Sequence, residues 1–187
     1  MICIIDCGTS WLEEIKTSVG KAGFRLKVVK MEECAGRGFC EFSGIIISGS
    51  PILLTDAGSQ KYLDNLEFVK KAKIPVLGIC FGHQVIGMLY GAKAHIGEMI
   101  DKNEQVRVLE ENGLFAGIAK EAVFREEHRE FIDLPQGFEL LAKSQTCANE
   151  AMRHKTKKLY GTQFHPEASG ESGKKVLKNF LNMCGEK

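Results

Sequence analysis

Residues 74–87 read Ile74-Pro75-Val76-Leu77-Gly78-Ile79-Cys80-Phe81-Gly82-His83-Gln84-Val85-Ile86-Gly87. The apolar run Val76 to Ile79 has the texture of a fully buried strand, with Pro75 where a strand can begin. Cys80 follows, with a glycine two positions away on each side. From Gly82 to Tyr90 the residues are compatible with a helix, and Val85, Ile86 and Leu89 supply its apolar positions. Strand, tight Gly-X-nucleophile-X-Gly turn and helix together make a nucleophile elbow, here carrying a thiol in place of a hydroxyl. Such a turn is sharp enough that a Cβ at either glycine would collide with its neighbours. A side chain at this point also sits at a helix N-terminus, where backbone N–H groups favour negative charge. A buried structural cysteine is the competing reading, and the paired glycines favour the nucleophile.

Outward from the elbow, the first half of the chain alternates short apolar strands with amphipathic helices. Strands are expected at Met1–Ile5, Phe24–Val29, Gly44–Ile47 and Ile74–Ile79. Trp11 to Ala22 carries apolar residues at 11, 12, 15, 19 and 22, a helical spacing, and Gly23 suits its C-terminal cap. Tyr62 to Ala72 reads as another helix, with Leu63, Leu66 and Val69 on one face. This order implies an α/β fold: a mostly parallel central sheet with helices on both faces. Ligands of such sheets bind beyond the C-terminal strand ends, where the loop Ser48-Gly49-Ser50-Pro51 and Cys80 both fall. After Gly91 the texture changes to short strands at 104–109, 122–125, 139–142, 150–153 and 159–164, an additional antiparallel section. Gly170 to Cys184 closes the chain as a helix with Val176, Leu177, Phe180 and Leu181 inward. With no repeats or linkers, residues 1–187 are expected to form a single domain.

Composition excludes several classes of function. Twenty-five basic and 24 acidic residues give a net charge of +1, which argues against nucleic acid and anionic membranes as partners. Seven cysteines, an odd number without a Cys-X-X-Cys pair, weaken zinc and disulfide readings. No apolar stretch approaches the roughly 18 residues of a membrane span, so a soluble cytoplasmic protein is expected.

A second chemical segment follows the strand expected at 159–164: Gln163-Phe164-His165-Pro166-Glu167. In extended backbone, residues two apart project to one side, so His165 and Glu167 can share a face. Pro166 keeps the preceding backbone out of the helical region. A thiol nucleophile needs a base, and the base needs an acceptor on its other ring nitrogen. Cys80, His165 and Glu167 supply all three, although His-Pro-Glu alone would be read as a solvated loop.

The elbow at 78–84 together with Gly161-Thr162-Gln163-Phe164-His165-Pro166-Glu167 resembles the class I (triad) glutamine amidotransferases, whose fold is flavodoxin-like. Residues 150–167 most resemble those family members that serve as separate glutaminase subunits of GMP synthases. The resemblance covers nearly the whole chain. It implies hydrolysis of glutamine through a γ-glutamyl thioester on Cys80, with His165 moving the proton. It also implies an oxyanion hole from the backbone of Phe81 and of Ser50 in the Gly49-Ser50 loop, and substrate contacts from Gln84 and Arg129. The implied partner is an ATP-pyrophosphatase (synthetase) subunit that uses the ammonia to convert XMP to GMP. ATP and Mg are expected on that partner, with no cofactor and no metal on this chain.

Two departures from the family pattern stand out. Ser50 occupies a position usually held by glycine, and serine tolerates a positive φ poorly. Either the oxyanion hole forms on partner binding or the loop simply differs. Glu127-His128-Arg129-Glu130 replaces Ser-His-X-Asp at the pocket rim, where His128 by itself could be a surface histidine. Alternatives therefore include a related amidotransferase with another client, a stand-alone γ-glutamyl hydrolase, and a catalytically silent homologue. Ser169-Gly-Glu-Ser-Gly-Lys-Lys175 lacks the spacing of a phosphate-binding loop and reads as a helix start. The basic run Arg153–Lys158 reads as a solvated hairpin tip.

Overall fold

The computed structural model describes residues 1–111 and 113–185, and in it nine strands form one mixed sheet. The elements follow the chain as β1 (Ile2–Asp6), α1 (Leu12–Lys21), β2 (Leu26–Lys30), β3 (Gly44–Ile47), α2 (Gln60–Leu66) and β4 (Val76–Ile79). They continue as α3 (Phe81–Leu89), β5 (Ala94–Val108), β6 (Glu121–Ile132), β7 (Phe138–Lys143), β8 (Ala151–His154), β9 (Leu159–Thr162) and α4 (Gly170–Gly185). The spatial order is β2-β1-β3-β4-β9-β8-β7-β5-β6. Its first five strands are parallel, in the doubly wound order expected of a flavodoxin-like fold.

β1, β3 and β4 are buried along nearly their whole length, which is why they read as continuous apolar runs. Two apolar clusters flank the sheet. Ile15 and Val19 of α1 pack with Val176, Leu177 and Phe180 of α4 on one face. Leu66, Val69, Phe81 and Val85 pack on the other. Each such fully buried aliphatic or aromatic side chain contributes roughly 1.5–3 kcal/mol relative to exposure. Gly23 takes a φ of +82° just past α1 and donates its N–H to the Gly20 carbonyl, as its capping role required.

The structure corrects three expectations. The helix expected over 62–72 starts at Gln60 and tightens into a 3-10 segment at Glu67–Lys71, although Leu66 and Val69 stay buried. The strand after the basic tip, β9, joins the parallel half: it pairs in parallel with β4 and antiparallel with β8. The antiparallel section is also more extensive than expected, because β5 and β6 form a hairpin of 15 and 12 residues. The Ala94–Asn103 arm of β5 was missed because it leaves the core. It is half-buried or exposed throughout, and a register shift between Ile96 and Ile100 breaks its alternation. Among the described residues, no helix is long and apolar enough to cross a membrane.

Candidate active site

Three strand ends meet at the C-terminal edge of the parallel half, those of β3, β4 and β9. Cys80 caps the N-terminus of α3 with φ 49° and ψ −102°, and among the described residues it is the only non-glycine with positive φ. That conformation is strained and persists where surrounding structure over-determines it. Here the Cys80 N–H donates to the Thr162 carbonyl (2.8 Å), and the Cys80 carbonyl accepts from the Gln84 N–H (3.0 Å). The glycines explain themselves. A Cβ on Gly78 would lie 2.4 Å from the backbone of Gly82, and one on Gly82 would lie 2.5 Å from the Ile47 carbonyl oxygen.

His165 and Glu167 meet by a different route from the one expected. His165 is extended (φ −96°, ψ 91°), but Pro166 starts a 3-10 turn, Pro166–Ala168. The turn brings Glu167 Oε1 to 2.9 Å from His165 Nδ1 and leaves Nε2 for the thiol. Pro166 therefore restricts the residue before it and opens the turn after it. Burial disfavours a charged His165, but the Cys80 side chain and Glu167 outweigh it and hold the imidazole well above its ordinary range. The ring is thus held toward its imidazolium form, facing the Cys80 sulfur. The Gln163 side-chain amide donates toward Cys80 Sγ (3.6 Å), a contact to which the sequence reading gave no role.

These groups open onto a cavity of about 320 Å³, lined by Gly8–Trp11, Ser50–Leu53, Gln84, Met99 and 127–130 around Cys80 and His165. That volume is at the small end of ligand pockets. Gly49 passes so close that a Cβ would lie 2.9 Å from His165 Cε1, so this loop must carry glycine there. Ser50 has no positive φ, and the strain anticipated at that position is absent in this conformation. Phe81 turns its ring into the core against Tyr62. Gln84 is buried and donates to the Glu130 carbonyl (2.8 Å) and to Gln163 Oε1 (3.2 Å). Arg129 stands exposed at the cavity mouth.

The segment 127–130 divides between rim and interior. Glu130 is buried, and its carboxylate accepts from the N–H groups of Leu54 (2.7 Å) and Thr55 (2.8 Å), pinning the wall of the cavity. His128 is buried as well, so its reading as a surface histidine is set aside. Sequence reasoning missed Glu130 as an anchor. The signal was present as the alternation Ala122, Phe124, Glu126, His128, Glu130, Ile132, one face of β6 that starts and ends apolar.

The chain matches the family model described as "Glutamine amidotransferase class-I" over residues 3–184 and belongs to that family. Its relatives include proteins named as the glutamine-hydrolyzing subunit of GMP synthase. The Methanocaldococcus jannaschii protein of that name is 38% identical, with 100% of this chain and 99% of the relative covered. The Methanococcus aeolicus protein is 41% identical, with 99% and 98% covered. A solved structure from Thermoplasma acidophilum superposes with a TM-score of 0.90 at 27% identity, covering 98% of this chain and 93% of that one.

Proposed function

We propose that this chain is the glutamine-hydrolysing subunit of a GMP synthase and that Cys80, His165 and Glu167 are its catalytic residues. The observation that carries the chemistry is the buried thiol–imidazole–carboxylate line at the floor of a small cavity, with Nδ1 of His165 held by Glu167. The Cys80 thiolate attacks the side-chain amide carbon of glutamine. The backbone N–H groups of Phe81 and Ser50 hold the oxyanion of the tetrahedral intermediate. His165 passes its proton to the departing nitrogen, which leaves as ammonia, and a γ-glutamyl thioester remains on Cys80. His165, now neutral, deprotonates the water that releases glutamate. Gln84 and Gln163 shape the floor of the pocket, and the exposed Arg129 is placed to meet the carboxylate of the substrate.

The ammonia passes to a separate ATP-pyrophosphatase subunit that converts XMP to GMP and carries the ATP and Mg. The names of the full-length relatives support this client. All seven cysteines are free thiols, in keeping with a cytoplasmic protein.

The test is glutamate release by the purified chain, with and without its synthetase partner, XMP and ATP–Mg. Turnover is expected to rise when the partner and nucleotides are added, and Cys80→Ala should abolish it, a loss of about 10⁴-fold or more. Steady partner-free hydrolysis of γ-glutamyl substrates, unchanged by the synthetase, would instead favour a stand-alone hydrolase.

A further inference from the structure

Behind His165 lies a group of ionisable side chains that the proposed chemistry does not use. Glu126 of β6 and Glu150, just before β8, are wholly buried. The Glu126 carboxyl receives no hydrogen bond from any N–H or O–H among the described residues, and Glu150 is met by the Ser144 hydroxyl. Ser144 Oγ also accepts from the N–H groups of Thr146 (3.1 Å) and Cys147 (2.9 Å), which leaves its proton for an acceptor. His128 Nδ1 lies 3.0 Å from the Glu130 carbonyl, which can only accept, so the proton of a neutral ring sits on Nδ1. Its Nε2 then presents a lone pair 3.2 Å from Glu126 Oε2 and out of line for a hydrogen bond.

Three acceptors therefore crowd together in the interior, and Ser144 supplies a single hydroxyl, at Glu150. Such a group is tolerable only if it holds protons of its own. The electrostatics agree: burial pushes Glu126 up to about 7 and Glu150 up to about 9, and burial pushes His128 down. Backbone pairing joins β6 to the site, and the Glu126 carboxyl interacts electrostatically with His165. The His165 N–H donates to the carbonyl of Arg125 (2.8 Å), and Glu126 is the next residue in β6.

We propose that Glu126, with Glu150 and His128, is a positioning charge for His165: one proton shared between the two carboxyls leaves a single negative charge beside the imidazolium. That charge helps to keep the Cys80–His165 pair in its ionised form. The inference rests on the reading of those two residues as a reacting pair. His165 is otherwise faced by Cys80 from the start of α3 and by Glu167 from the turn. Glu126 is also faced by Glu104 of β5 and by Arg125, and Glu150 by Cys147 of the loop before β8.

The test is a titration of the His165 ring by ¹⁵N NMR in the full chain, accompanied by the pH profile of glutamine hydrolysis. In Glu126→Gln/Glu150→Gln the midpoint for His165 should fall by about one pH unit, a tenfold change. The alkaline limb of the hydrolysis profile should move with it, with KM little changed. Glu150→Gln alone should move His165 far less, because an amide N–H replaces the shared proton and the charge stays on Glu126. A double variant with native circular dichroism and an unmoved His165 would overturn the proposal, as would a Glu150→Gln shift equal to that of the double variant. If the double variant does not fold, Glu126→Gln alone carries the same expectation of a lowered midpoint. A shift of His165 in a chain that hydrolyses no glutamine would sink the glutaminase reading and leave this one standing.

Discussion

The two halves of the sheet build their share of the site by opposite means. In the parallel half, backbone shape is decisive. β3, β4 and β9 approach so closely that Gly49, Gly78, Gly82 and Gly161 leave no room for a Cβ, and Cys80 is forced into a left-handed conformation between them. At Gly161 the obstruction is the buried ring of His83, whose Nδ1 would lie 2.5 Å from a Cβ. In the antiparallel half, charge is decisive. The inner face of β6 turns Glu126, His128 and Glu130 into the interior beside Phe124, which stacks on Phe164 at a centroid distance of 4.0 Å. The nucleophile is positioned where atoms cannot go, and its surroundings are tuned by where protons reside.

This contrast can be broken first at Gly78. Gly78→Ala forces a Cβ to within 2.4 Å of the Gly82 backbone, which cannot move without dismantling the elbow. We expect a loss of about 4 kcal/mol or more in urea unfolding, or failure to accumulate folded protein. A stable, active Gly78→Ala enzyme would refute the steric account of the parallel half.

A smaller effect probes the antiparallel half. Natively, Glu126 and Glu150 keep protons up to about pH 7 and about pH 9, whereas in an unfolded chain both carboxyls have released them above roughly pH 5. Above about pH 6.5, where the buried histidines no longer offset them, the native state therefore binds more protons than the unfolded state, and stability falls as pH rises from about 7 to about 9. His165, held above its ordinary value, acts in the same direction at the alkaline end. His83, lowered by burial to about 3, acts oppositely but only below its unfolded value near 6.5. Urea unfolding between pH 7 and 9 should show the decline, and Glu150→Gln should flatten it by up to about 1.4 kcal/mol per pH unit. An unaltered slope would mean that the buried pair does not store protons.

The smallest change is expected at Ser50. Because this residue has no positive φ, Ser50→Gly relieves no strain, and kcat for glutamine hydrolysis should stay within about threefold. A large increase would show that the loop must flip into a glycine-only conformation during turnover.

Much of this was legible beforehand for local reasons. Residues 74–90 announce strand, turn and helix because a buried parallel strand is uniformly apolar and a steric turn demands glycine. The line of Cys80, His165 and Glu167 followed from chemical necessity. Less was legible where meaning depends on neighbours far along the chain. The arm Ala94–Asn103 carries no core-facing periodicity, since it projects beyond the core, and Glu150 looks like any surface glutamate until Glu126 is placed against it.

By itself the sequence determined the elbow, the alternation of strands and helices in the first half and the residues that can do thiol chemistry, because those depend on side-chain size and on contacts a few residues apart. Only the tertiary structure decided that β9 lies beside β4, that Pro166 turns Glu167 back onto His165, and that Glu126, His128 and Glu150 are buried together. Burial and pairing between distant segments set the energy of a charge, and that energy is not a property of any single stretch of chain.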